Sequence, residues 1–233
     1  MNRNDYRKAA LRTEGGYSNF IRFAARLSPV QPPLPRWRKN AAFLLQHLAS
    51  RFMRLQPCPA TFEEWRLLHA SLGLCSELAE YENAYDHVNR AEEIGDLFWY
   101  LAVARDATLT YLSLGNHLEP KELMEIGEHN PLLAPGLVKR FEWRDGISEL
   151  ADLMKKRCFY GKRLVPDHLW RLVDAIEEHL CSRVAERERD WGTEGQIRAR
   201  NIAKLRKRYP EKFSNDLALD RDLCAERKVL EGK

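Results

Sequence analysis

The chain has 233 residues, 44% hydrophobic and 31% charged, with a formal net charge of +4. This is an ordinary globular composition, long enough for one substantial core or for two small helical units sharing one. No run of eighteen apolar residues exists, which argues against a transmembrane helix, and the modest charge does not demand nucleic acid as a partner.

Met1 to Arg12 is polar, contains Asp5 and lacks the apolar stretch of a secretory signal, so a cytoplasmic location is expected. The five cysteines, at 58, 75, 158, 181 and 224, form no CxxC pair and read as reduced thiols. Prolines at 29, 32, 33, 35, 57 and 59 punctuate residues 1–60, an appended N-terminal segment with one amphipathic helix over about 37–55. Thr61, followed by Glu63 and Glu64, caps a helix over about 62–85. A second helix spans about 90–113, and the two form a first half, 61–115. Residues 116–145 hold Pro120, Gly127, Asn130-Pro131 and Pro135-Gly136 and read as a crossover. In the second half, 146–233, helices are expected over about 147–158, 167–189 and 195–208, the last ended by Tyr209-Pro210, with a further helix near 215–230. Strand-period alternation is nearly absent, so the expected fold is an all-α bundle.

Glu77 and Glu80 lie three apart on one predicted helix, and Glu93 and Asp96 repeat that spacing on the next. A spacing of three puts both carboxylates of a pair on nearly one face. The twelve residues between the pairs suffice for a helix end and a turn, so antiparallel helices can bring four acids together. From Ile94 to Ala104, Asp96 is the only charge. A helix apolar on nearly every side is buried, and an ionised carboxylate there must be paired or hold a cation. Four converging carboxylates offer an all-oxygen site suited to Mg2+, with Mn2+ as the other candidate. The competing reading places these acids on solvated faces, paired with Arg66, Arg90 or Arg105.

The segments Leu68–Glu80 (LHASLGLCSELAE) and Glu92–Leu101 (EEIGDLFWYL) resemble the MazG-like family of nucleoside triphosphate pyrophosphohydrolases, phage-encoded members in particular. The resemblance implies that Glu77, Glu80, Glu93 and Asp96 bind magnesium and are the catalytic residues. It implies a (deoxy)nucleoside triphosphate substrate cut between the α and β phosphates, releasing monophosphate and pyrophosphate, and, for a phage protein, the host cytoplasm as the place of action. The family order departs here. No FYGK segment lies between Glu80 and Glu93; it appears later as Phe159-Tyr160-Gly161-Lys162, behind Ser148–Asp152 (SELAD), which nearly repeats Ser76–Glu80 (SELAE). The family's closing motif is intact at Asn201–Pro210 (NIAKLRKRYP), whereas Leu172 and Ala175 stand where a second acidic pair is expected. These features suggest a duplicated unit whose second half has lost its acids, an internal pseudo-dimer that either replaces the family's homodimer or pairs again. The composite site would then draw its phosphate-binding groups from the second half: Lys155, Lys156, Tyr160 and Lys162, with Asn201, Lys204 and Arg208. Glu92 or one of the four acids would orient the attacking water. Phe98, Trp99 and Tyr100 serve either the core or base stacking. The alternative is a nucleotide-binding or regulatory descendant of such an enzyme, with little or no hydrolysis.

Overall fold

The computed structural model describes residues 1–14, 61–116, 142–210 and 222–232. The expected helix over 37–55, nearly all of the 116–145 crossover and the stretch before the last helix fall outside them. Among the described residues every element is a helix: α1 Arg3–Leu11, α2 Phe62–Asn83, α3 His87–Asn116, α4 Trp143–Tyr160, α5 Pro166–Glu186, α6 Glu188–Trp191, α7 Glu194–Arg208 and α8 Leu223–Leu230. None is long and apolar enough to cross a membrane.

Local chemistry sets the helix ends. The Thr61 hydroxyl accepts the Glu64 amide at 3.1 Å, as the sequence predicts for the start of α2. Three residues later than the end of α2, Asp86 accepts the Asn89 amide at 2.7 Å and starts α3. Gly161, at φ +65°, stops α4 in the left-handed conformation that glycine adopts without a side-chain clash. Pro166 opens α5 from its first turn. Thr193 and Gln196 form a reciprocal capping box on α7.

Helices α2, α3, α5 and α4 form a four-helix arrangement in which neighbours run antiparallel. Arg144 at the start of α4 bonds Glu82 at the end of α2 (3.0 Å), and Arg157 near the end of α4 bonds Glu64 in the first turn of α2 (2.9 Å). Helices α1 and α7 pack on the outer side of α3, and α8 packs on α7. Helix α3 is therefore enclosed nearly all round, with Ile94, Leu97, Phe98, Leu101, Val103 and Ala107 all buried. Its apolar sequence is the direct counterpart of that central position. The described cysteines, Cys75, Cys158, Cys181 and Cys224, are free.

A buried ion network ties α1, α3, α5 and α7 together. Arg198 is 1% exposed and bonds Glu177 (2.8 Å) and Glu194 (2.9 Å), its guanidinium lying over the rings of Phe98 and Tyr6. Burial by itself would raise the Glu177 carboxyl, but Arg105, Arg198 and Arg3 together hold it below the usual range. Removing one partner of a buried pair strands the other charge and costs about 3–5 kcal/mol. Arg198→Ala should therefore lose about 3–5 kcal/mol in urea unfolding. A midpoint equal to that of the parent chain would show that the network is not a keystone of the fold.

Candidate metal centre

The last two turns of α2 and the second and third turns of α3 face each other beneath α7. One carboxylate oxygen each of Glu77, Glu80 and Glu93 lies within 4.8 Å of the others. Glu93 is buried, Glu77 half-buried and Glu80 exposed, so the group opens to solvent on the Glu80 side. No lysine or arginine pairs with these three among the described residues; Asn89 Nδ2 donates to Glu93 at 3.2 Å. Burial, then the charges of Asp96, Glu80 and Glu93, push the Glu77 carboxyl up to about 9 against the opposing pull of Lys204. Burial, Asp96, Glu92 and Glu80 push Glu93 up to about 7 in the same way.

Asp96 has a different environment. Its Oδ2 accepts from Lys204 Nζ at 2.5 Å and its Oδ1 from Asn201 Nδ2 at 2.7 Å. Lys204 is fully buried and also reaches Glu92 Oε1 at 3.2 Å. Burial disfavours its charge, but Asp96 and Glu92 outweigh that effect and raise its pKa, so the ammonium stays charged. Two glycines make room for these contacts. A Cβ at Gly95 would lie 3.0 Å from the Asn201 Cβ, so its absence lets α7 approach α3 closely. A Cβ at Gly73 would lie 2.1 Å from the Tyr100 ring, which takes that space beside Glu77.

The four predicted ligands are thus neighbours in distinct roles: three glutamates share one space, and Asp96 is engaged by α7. The three-glutamate group fits a hard divalent cation, because the donors are all oxygen, mutually repelling and without a cationic partner. The competing arrangement, pairing with Arg66, Arg90 or Arg105, is not found among the described residues. Arg66 bonds Glu14 and Asp106, Arg105 bonds Asp174 and Glu177, and Arg90 makes no ion pair among the described residues.

The predicted phosphate-binding groups need correction. Lys155 and Lys156 both pair with Asp152, the former at 2.6 Å, and Tyr160 and Lys162 are exposed around the α4 terminus. The antiparallel packing of α4 on α2 puts that terminus against the first turn of α2. Glu77 lies thirteen residues further along the helix, about 20 Å at 1.5 Å per residue. Within one chain these four residues do not reach the acidic group. Asn201 and Lys204 do reach it, but as partners of Asp96, and Lys204 has no exposed surface to offer a phosphate. Arg208 bonds Glu226 at 2.8 Å and fastens α8. The second-half acids make local pairs, Glu149 with His168 and Asp152 with the two lysines, while Leu172 opposite is buried. Phe98 belongs to the core, and Trp99 Nε1 donates to Thr13 and Ala10.

Tyr6 is the participant that sequence reasoning missed. Its hydroxyl donates to Asn201 Oδ1 (2.8 Å) and to the Gly95 carbonyl (3.0 Å), so α1 buttresses the amide that holds Asp96. A tyrosine in a polar N-terminal helix carries no periodicity signal that would point there. No protein-family model matches this chain, and no curated protein or solved structure is significantly similar to it.

The raised carboxyls fix the direction of a pH effect. In the folded chain Glu77 and Glu93 keep their protons up to about 9 and about 7, whereas in the unfolded chain they lose them near 4.5. The native state then binds more protons across that window, so its stability falls as pH rises from 4.5 towards 9. With chelator present, the Tm should drop between pH 5 and pH 9, and added Mg2+ should restore more of it at pH 8.5 than at pH 5.5. A metal-free Tm that climbs over this range would contradict the assigned environment.

Proposed function

We propose that this chain is a magnesium-dependent nucleoside triphosphate pyrophosphohydrolase of the MazG-like type. One observation carries the reading: three glutamates from adjacent antiparallel helices share one space without a cationic partner among the described residues. Glu77, Glu80 and Glu93 would hold the metal. Magnesium, when bound, supplies charge that draws in phosphate oxygens and offsets the charge developing on them.

The rest is supplied by side chains. Lys204 and Asn201 hold Asp96 in one orientation, so its carboxylate presents a fixed charge beside the glutamates. Glu92, or one of the four acids, would accept a proton from the attacking water and so orient it. Tyr100, packed over Gly73 next to Glu77, walls the group on the α3 side. The internal-repeat reading draws support from the packing, since α2–α3 and α4–α5 are two helical hairpins laid together with their corresponding members adjacent.

A second reading has its own support. None of the four α4-terminal phosphate-binding candidates reaches the acidic group in one chain, and Lys204 is committed to Asp96. Either a second copy brings its α4 terminus to the site, or the chain binds nucleotide without turning it over. Incubation with a panel of ribo- and deoxynucleoside triphosphates plus Mg2+ tests both. Monophosphate and pyrophosphate should form, and Glu77→Ala and Glu80→Ala should each reduce turnover by at least 100-fold while helical circular dichroism persists. Mg2+-dependent activity retained in both variants would refute the assignment, and nucleotide binding without product would favour the second reading.

A further inference from the structure

Beyond the acidic group, the same end of the bundle carries a basic cleft of about 390 Å3 that the proposed chemistry does not use. Glu77, Glu80 and Glu93 do not line it. At its edge Tyr81 meets the Trp143 and Trp191 rings, and Glu82 bonds Arg144. Four arginines from separate parts of the chain converge on the cleft: Arg90 of α3, Arg144 of α4, Arg183 of α5 and Arg187 at the α5–α6 junction. His87 joins them, and buried Tyr81 and Trp191 form the floor.

The acids present do not cancel this charge. Glu82 bonds Arg144 (3.0 Å), Glu186 bonds Arg183 (2.8 Å), and Asp190 stands 3.7 Å from Arg187. All three are solvent-exposed pairs, which contribute little and yield readily to a better acceptor. Arg90 has no acidic partner among the described residues. Guanidinium groups gathered over an aromatic floor match the planar, bidentate geometry of phosphate oxygens. The volume falls within the range of small-ligand sites.

We infer that this cleft is an anion site for a phosphorylated small molecule of up to nucleotide size, separate from the metal centre and filled without a divalent cation. The test is calorimetric titration of the full chain with inorganic pyrophosphate and with ATP, in excess chelator so that the acidic group cannot take part through a metal. Both probes should bind. Arg90→Ala combined with Arg187→Ala should weaken them at least tenfold, because these two side chains are exposed and can be removed without opening the core. Glu77→Gln combined with Glu80→Gln should leave binding within twofold. Absence of binding in chelator, parental affinity in the arginine variant, or loss of binding in the glutamate variant would each overturn the inference. The metal-dependent hydrolysis assay reads a different site under different conditions, so failure of one reading leaves the other measurable.

Discussion

The ion pair between Lys204 and Asp96 organises this end of the molecule. A lysine with no exposed surface requires a carboxylate within contact, and the only charge in the apolar stretch of α3 supplies it. The pair fixes the register of α7 on α3, since the same aspartate takes the Asn201 amide and Gly95 gives α7 its close approach. Tyr6 then locks Asn201 from α1, and Arg208 carries α8 along with α7. A chain of polar contacts beginning at one buried charge therefore places four helices.

That pair also explains the asymmetry of the acidic group. Lys204 is engaged by Asp96 and Glu92, which leaves Glu77, Glu80 and Glu93 facing each other with only an amide, Asn89, bonded among them. The folded state holds them together because the surrounding apolar packing of α2 and α3 compensates, and the strain shows as carboxyls held well above their usual range. The electrostatics of this group oppose the fold locally, within an otherwise consistent bundle.

The bundle topology imposes the second asymmetry. Because α4 runs antiparallel to α2, the lysine-rich α4 terminus and the acidic group lie at opposite ends of α2. The arginines that end up at the acidic end come from Arg90, Arg144, Arg183 and Arg187, residues that share no motif and are up to about one hundred positions apart. Basic character at each end thus has a different origin: a contiguous run in one case, convergence of four segments in the other.

The helices and most of their limits were legible in the sequence, because caps such as Thr61, stops such as Tyr209-Pro210 and the apolar run of α3 act locally. The proximity of Glu77, Glu80 and Glu93 was legible too, since spacings of three and a short turn leave an antiparallel pair few other arrangements. The partner of Asp96 could not be assigned in this way. The motif around Lys204 marks it as a phosphate-binding cation, and only the docking of α7 over Gly95 turns it inward onto Asp96. The α4-terminal lysines misled for the same reason: charge and motif state what a segment can bind, whereas helix direction and packing decide which other segment it meets. Local pattern sets the helices and the acidic pairs. Tertiary packing decided which charges are neutralised, because that depends on contacts between residues about one hundred positions apart, over which local pattern has no influence.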